Sequence, residues 1–249
     1  MHIETRYLKV ERINLSNSKN AIKIAQLSDI HIGSMFVSYS DIMNVLVSED
    51  PDIIILSGDY IEKKNQIPKF LDFLDSIPKK PTFAIFGNHD YRTFLKNKKG
   101  LDSFAEQIEH KGITMLRNRN ISLNINDRKI NIVGIEDIRY KKDDVKAAFS
   151  GISSSKDTTV AFSHNPDIIF SFGKNKSDIL LTGHFHGGQI LTPFHLEFKL
   201  LRKEKLSKMK IYRGLNNVNN QKIYISRGLG NVSLPLRFFS KPEITFFEI

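Results

Sequence analysis

Five short apolar runs in this chain each stop at a block of carboxylate, carboxamide or imidazole side chains, four of them with glycine. Ile22 to Leu27 runs into Ser28-Asp29-Ile30-His31-Ile32-Gly33, and Ile53 to Leu56 into Ser57-Gly58-Asp59. Thr82 to Phe86 ends in Gly87-Asn88-His89-Asp90, Thr158 to Phe162 in Ser163-His164, and Asp178 to Leu181 in Gly183-His184-Phe185-His186. A short run apolar on both faces is what a buried strand requires. Polar residues at the ends of such strands are where α/β folds place their chemistry.

Between the early runs lie amphipathic helices. Ile42, Val45 and Leu46 share a face behind a cap at Ser38 or Ser40. Ile67, Phe70, Leu71, Leu74 and Ile77 mark a second helix, and Leu101 to Lys111 a third with Gly112 beyond it. Further strands are expected at Tyr7 to Leu15, three within Thr114 to Glu136, then Lys222 to Ser226 and Glu243 to Phe247. The Asn-rich stretch Asn216 to Asn220 reads as a loop. Strands alternate with helices early and dominate later, which predicts an α/β protein with mixed sheets. No linker or repeat divides the chain, so a single domain over 1–249 is expected.

Composition narrows the function. There is no cysteine, which excludes disulfides, zinc ribbons, iron–sulfur sites and a thiol nucleophile. The net charge of +10, from 37 basic and 27 acidic residues, predicts attraction to anions: phosphorylated substrates, an anionic membrane surface or nucleic acid. Nucleic acid is the least expected, because aromatic and basic residues do not interleave as they do along single-strand grooves. No apolar run approaches a membrane span. Glu4, Arg6, Lys9, Glu11 and Arg12 leave no room for a signal peptide, so a cytoplasmic location is expected.

Of the eight histidines, His31, His89, His164, His184 and His186 stand at strand ends beside Gly, Asp or Asn, while His110 and His195 read as structural. Asp29, Asp59, Asn88 and Asp90 hold equivalent places. With thiolate absent, this set suits a borderline divalent metal. Each block is weak alone: Asp-x-His and Gly-Asp are ordinary turns, and a histidine before Asn165-Pro166 is more often a cap or core residue. The two imidazoles of Gly183-His184-Phe185-His186-Gly187-Gly188 are stronger, because flanking glycines let the backbone come close to an ion.

Taken in order, Asp-x-His, Gly-Asp, Gly-Asn-His-Asp, His and Gly-His-x-His resemble the calcineurin-like metallophosphoesterase superfamily across Asp29 to His186. The resemblance implies mixed β-sheets packed as a sandwich between helices, a four-layer architecture. It implies two divalent ions about 3.5 Å apart, with manganese expected and iron or zinc as alternatives. Asp29, His31 and His186 would hold the first, Asn88, His164 and His184 the second, and Asp59 would bridge both. A hydroxide shared by the two ions would attack phosphorus. His89 would face the leaving oxygen, and Asp90 would orient its ring.

Gln26-Leu27-Ser28-Asp29, Gly58-Asp59-Tyr60, Asn88-His89-Asp90-Tyr91, Ser163-His164-Asn165-Pro166-Asp167 and Gly187-Gly188-Gln189-Ile190 resemble the YkuE/YaeI branch of that superfamily. So does the tail from Ser226-Arg227-Gly228-Leu229-Gly230 through Leu234-Pro235-Leu236-Arg237 to Pro242-Glu243-Ile244. The branch includes UDP-2,3-diacylglucosamine pyrophosphatase-like members, and many members carry a membrane anchor or export signal.

One stretch lies outside these motifs. Leu191 to Arg213 is apolar first (Leu191, Phe194, Leu196, Phe198, Leu200, Leu201) and basic afterwards (Arg202, Lys203, Lys205, Lys208, Lys210, Arg213). It reads either as a core strand with a solvated loop or as a lid at 191–213 that takes an acyl chain and rests on anionic lipid. Arg92, Lys96, Lys98 and Lys99 form a second basic group placed to bind a diphosphate. The substrate-binding candidates are therefore Arg92, Lys96, Phe194, Phe198 and Arg202. The expected activity is two-metal hydrolysis of a lipid-linked or nucleotide-sugar phosphoester or diphosphate such as UDP-2,3-diacylglucosamine. Contact would be peripheral, on the inner membrane face. The alternatives are a soluble phosphodiesterase or nuclease and, from another class, an inactive metal-binding scaffold.

Overall fold

The computed structural model describes residues 4–18, 20–152, 157–189, 203–234 and 236–249. Twelve strands form two six-stranded sheets among these residues. The first sheet contains β1 (Lys9–Asn14), β2 (Lys23–Leu27), β3 (Ile53–Leu56), β4 (Thr82–Ala84), β5 (Thr114–Met115) and β12 (Glu243–Glu248), in the spatial order β1-β12-β2-β3-β4-β5. Here β2 to β5 run parallel, and β12 lies antiparallel to β2. The second sheet contains β6 (Arg119–Ile125), β7 (Arg128–Ile135), β8 (Thr158–Ser163), β9 (Ile179–Thr182), β10 (Gly214–Val218) and β11 (Gln221–Ile225), in the order β10-β11-β9-β8-β7-β6. Its centre, β7, β8, β9 and β11, is parallel, with an antiparallel strand at each edge.

Alternation along the strands sorts their side chains into three apolar layers, which is what makes four layers of structure. In β3, Ile53 and Ile55 face the second sheet and meet Ile132, Val160, Phe162 and Leu181. Ile54 and Leu56 face outward and meet α1 (Tyr39–Glu49), α2 (Ile67–Ser76) and α4 (Lys98–Glu109), through Ile42, Leu46, Phe70, Phe73 and Phe104. The outer face of the second sheet carries Val133, Ala161, Leu180 and Ile223, covered by α5 (Val145–Ala148), a 3-10 turn over Pro166–Ser171 and a short helix over Lys205–Lys208. This explains why β3 is apolar at every position: each of its residues is fully buried. Cutting one of them to Ala removes contacts from a close-packed layer and costs about 2–5 kcal/mol.

Two expectations need correction. Asn216 and Asn217 are not in a loop but in β10, which pairs antiparallel with β11. The turn is only Asn219-Asn220, both left-handed at φ 52° and 59°. Asparagine tolerates that region, and two such residues make the tight turn a twisted hairpin needs. Asn88-His89-Asp90 is likewise not an extended loop. It opens α3 (Asn88–Thr93), with Gly87 as the cap residue.

Candidate metal centre

Strand direction gathers the blocks. The C-terminal ends of β2, β3 and β4 open on the same side as those of β8 and β9, and bonds across the sandwich tie them together. Gln26 donates from Nε2 to Ser57 Oγ and to the Thr182 carbonyl, each at 3.0 Å. The His184 amide donates to both carboxylate oxygens of Asp29 at 3.1 Å. The chain turns so sharply here that Asp29, His31, Asp59, His184 and His186 all take left-handed φ, at 48°, 38°, 58°, 71° and 52°. Strain of that kind costs of order 1 kcal/mol or more per residue, and it persists only where the surroundings fix the conformation. Gly87 shows how tight the fit is: a Cβ there would lie 2.2 Å from Asp59 Oδ1.

The side chains converge in two groups of three donors, each within 4.8 Å: Asp29, His31 and His186, and Asp59, His164 and His184. A third group, His31, Glu62 and His89, overlaps the first. His186 Nε2 lies 3.2 Å from Asp29 Oδ1, and His164 Nε2 lies 3.0 Å from Asp59 Oδ2. Asp59 Oδ2 is also 3.6 Å from His31 Nε2, so this one carboxylate faces both groups. His164 donates from Nδ1 to the Ser57 carbonyl at 2.9 Å, which turns Nε2 inward, 3.3 Å from His184 Nδ1. Asn88 Oδ1 and both ring nitrogens of His31 are buried without a hydrogen-bond partner.

Such orphaned donor atoms fit a divalent ion, because buried polar groups otherwise find partners. The electrostatics agree. Burial pushes His31 down to about 3, so its ring is neutral and offers lone pairs. Burial lowers His164 too, but Asp59 and Asp29 outweigh it and push it up to about 10. Burial raises Asp59 as well, yet His164 beside it prevails and holds it well below the usual carboxylate range. Asp29, His31, Asp59, His164, His184 and His186 therefore match, in type and placement, the donors of a pair of borderline divalent ions.

His89 stands at the edge of the cluster, its ring edge-on to His31 at 4.8 Å between centroids. Its Nε2 is 4.0 Å from Asp59 Oδ2. Asp90 was expected to orient this ring, but its carboxylate accepts instead from the amides of Gly87, Asp59, Tyr60 and Ile61 at 2.9–3.1 Å. As the acid in the first turn of α3, it clamps the β3 and β4 loops to each other. The groups facing His89 Nδ1 are Arg92 Nη2 at 2.7 Å and Glu62 Oε1 at 3.4 Å.

A cleft of about 760 Å³ opens over the cluster, lined among others by Asn88, His89, Arg92, Arg139, His184 and Glu204. Arg92 thus lies where a diphosphate-binding residue was expected. Lys96 does not line the cleft, because α3 ends at Thr93 and the turn after it carries Lys96 outward into solvent. Phe194, Phe198 and Arg202, and with them the apolar half of the 191–213 stretch, lie outside the described residues. Its described part contributes Lys203 and Glu204 to the cleft, followed by the Lys205–Lys208 helix, whose amides at 205 and 206 bond to the Asp167 carboxylate.

Reading the sequence missed Glu62, Asp137, Arg139, Glu204 and Arg237. None sits in a strand-end block with glycine except Asp137, which follows β7 as Glu136-Asp137. Arg237 is buried, with the charges of Asp29 and Glu243 acting on it. It donates to the carbonyls of Arg227 and Ser240 at 2.8 and 2.9 Å and to that of Gly228 at 3.1 Å. The loop it holds lies across the first strand end: the Gly230 amide donates to the Asp29 carbonyl at 2.7 Å. Gly228, at φ 68°, is so close that a Cβ would fall 2.5 Å from Asp29 Cβ. The quoted tail motif is therefore the back wall of the donor cluster.

Comparison with known proteins accords with this geometry. Residues 22–188 match the family model for calcineurin-like phosphoesterases. The chain is 30% identical to an uncharacterized metallophosphoesterase, YkoQ of Bacillus subtilis, over 98% of its own length and 92% of the relative's. It is 31% identical to the phosphodiesterase YaeI of Escherichia coli, covering 91% and 82% of the two chains. To a UDP-2,3-diacylglucosamine pyrophosphatase, LpxG of Chlamydia muridarum, it is 28% identical, covering 98% and 89%. The chain belongs to the calcineurin-like phosphoesterase family and is a metal-dependent hydrolase of phosphoesters.

Proposed function

We propose that this protein hydrolyses a phosphodiester or diphosphate bond in a substrate with a lipid or nucleotide-sugar portion, such as UDP-2,3-diacylglucosamine, at a membrane surface. The observation that carries this reading is the pairing of the buried donor cluster with a cleft whose rim bears Arg92, Arg139 and Lys203. Three cations at one rim suit a substrate with more than one phosphate charge. Val232 and Ser233 line the cleft, and Leu234, Phe238 and Phe239 of the same segment are largely exposed. That pairing of charge with apolar surface suits an acylated phosphate better than a free nucleotide. Among the described residues no helix is long and apolar enough to cross a membrane, so contact with lipid would be peripheral. The similarity to the Chlamydia pyrophosphatase supports an acylated diphosphate substrate, and that to the Escherichia phosphodiesterase supports a phosphodiester bond.

Asp29, His31 and His186 would hold one ion, and Asn88, His164 and His184 the other, with Asp59 shared. When bound, the two ions supply an acidified water as nucleophile and positive charge for the phosphoryl oxygens. The remaining work belongs to the protein. Arg92 can only donate, so its bond to His89 Nδ1 leaves the ring proton on Nε2, the nitrogen turned towards Asp59 and the cleft. That N–H is placed to donate a hydrogen bond to the departing oxygen and stabilise the charge that develops there. Glu62 Oε1 faces the same ring at 3.4 Å from Nδ1. Arg92, Arg139 and Lys203 orient the substrate's phosphates against the cluster.

The test is a screen of purified protein with Mn²⁺ against a model phosphodiester, UDP-2,3-diacylglucosamine and a cyclic nucleotide. Preferential turnover of the diacylated substrate, with products split at the diphosphate, is the expected result. Turnover of only the soluble esters would overturn the lipid assignment and favour a soluble phosphodiesterase.

A further inference from the structure

We propose that Glu204, from the stretch that follows the Gly-His-x-His block, is a positioning residue for the second metal site: it fixes the tautomer and ring plane of His184. This inference rests on the reading that His164, His184 and Asp59 hold an ion. Glu204 Oε1 lies 3.0 Å from His184 Nε2. A carboxylate can only accept, so Nε2 carries the proton and Nδ1 keeps the lone pair. Nδ1 is the nitrogen that points into the donor group, 3.3 Å from His164 Nε2. On His164 the Ser57 carbonyl performs the same service from the other ring nitrogen, at 2.9 Å. The two rings thus present Nδ1 of one and Nε2 of the other to a common point beside Asp59 Oδ2. Carboxylate–histidine pairs of this kind orient metal ligands and raise their basicity.

Glu204 is held independently of any ion. It is the residue before the Lys205–Lys208 helix, whose first amides are bonded to Asp167 at 2.6 and 2.9 Å. Leu206 in that helix is fully buried in the layer under the second sheet. The Glu204 carbonyl also accepts from Ser207 Oγ at 2.9 Å. Arg139 Nη1, also at the cleft, lies 3.9 Å from Glu204 Oε1. The stretch that its basic residues mark for substrate or membrane thus also sends one acid inward to the metal centre.

The test is a calorimetric titration of metal-free full-length protein with Mn²⁺ alone, comparing wild type, Glu204→Ala and Glu204→Gln, with thermal melts in EDTA. Acids that hydrogen-bond the far nitrogen of a ligating histidine are worth roughly 10–100-fold in metal affinity. Glu204→Ala should weaken one of the two Mn²⁺ sites by about that factor and leave the other within about twofold. Glu204→Gln, which still accepts through its carbonyl oxygen but lacks the charge, should recover part of the loss. Metal-free melting temperatures should match, since the residue sits at the surface end of a short helix. Two sites of unchanged affinity in Glu204→Ala would overturn the inference while leaving the two-metal reading intact. A parallel loss at both sites with a lowered metal-free melt would also overturn it, showing a structural role. Wild type that binds no Mn²⁺ would sink the two-metal reading itself.

Discussion

The two halves of the donor cluster are built differently. The first, Asp29, His31 and His186, is closed from behind. Backbone of the Gly228–Gly230 loop presses on Asp29 and His31, and Arg237 holds that loop through its carbonyls. Only His186 of the three lines the cleft. The second half, Asn88, His164 and His184, faces the cleft through Asn88 and His184 and is braced by side chains: the Asp90 clamp beneath α3 and Glu204 on His184. A wall of backbone and buried guanidinium makes a rigid, dry pocket. Side-chain braces leave room for an incoming phosphate.

The residue common to both halves should give the largest effect. Asp59→Asn removes the carboxylate that lies 3.0 Å from His164 and 3.6 Å from His31, and with it the larger counter-charge on His164. Turnover should fall to background, and metal content should drop at both sites, measured by elemental analysis after dialysis. Near-normal turnover with two bound ions would show that the halves do not share Asp59.

His89→Ala tests whether the cleft side carries the proton chemistry. Both ions should remain, while the rate falls about 10²–10⁴-fold, the usual contribution of a positioned acid–base group. The loss should shrink for a nitrophenyl ester, whose leaving group needs no proton. A variant that loses an ion instead would place His89 among the ligands, through the group it forms with His31 and Glu62.

This difference in construction also decides what the sequence could disclose. Asp29, His31, Asp59, Asn88, His164, His184 and His186 are legible because each must follow a buried strand, and a short apolar run ending in glycine and a polar residue leaves that trace locally. The three layers are legible for the same reason: Ile53 to Leu56 can be apolar at every position only if both faces of the strand are covered. Arg237 and Glu204 leave no such trace. Their partners are a carbonyl loop and an imidazole far away in the chain, and nothing about an arginine in Leu236-Arg237-Phe238 or an acid inside a basic run predicts what it will meet. Asp90 misled because it is adjacent to His89 in sequence, whereas on a helix neighbouring side chains point apart and its carboxylate turns back to the amides of Gly87 and Asp59. The paired asparagines of Asn216 to Asn220 read as a loop because composition alone does not separate a two-residue turn from the strands that flank it.

Arg237→Met tests the closed half. It removes donors from the carbonyls of Arg227, Gly228 and Ser240 while keeping most of the volume. Buried carbonyls left without partners cost about 1–3 kcal/mol each, with part recovered by relaxation, so a stability loss of about 3–4 kcal/mol is expected in urea melts. The Mn²⁺ site that weakens should be a different one from the site weakened by Glu204→Ala. If both substitutions weaken the same site, the halves are not braced separately.

The smallest effect concerns Asp137 and has opposite signs in the two readouts. This residue follows β7, is fully buried, and has one carboxylate oxygen, Oδ2, with no hydrogen-bond partner. Burial raises its carboxyl to about 6; His164 opposes the shift and Asp59 adds to it. An unfolded aspartate titrates at about 3.9, so the folded state binds this proton more tightly. Its stabilising contribution is therefore complete below pH 4 and is lost as pH rises through 6, amounting to on the order of 1–3 kcal/mol by pH 8. Asp137→Asn cannot ionise. In EDTA it should be more stable than wild type at pH 8 by about that amount, and the difference should vanish near pH 4. The same charge helps to hold the His164 imidazole high, which places it beside the second half. Removing it lowers the negative potential where an ion would sit, so Mn²⁺ should bind that half severalfold more weakly at pH 8. A gain in stability together with a loss in affinity is the behaviour of a carboxylate kept ionised for its field. Parallel stability profiles across pH 4–8 would show instead that Asp137 titrates in the folded protein as it does in the unfolded chain.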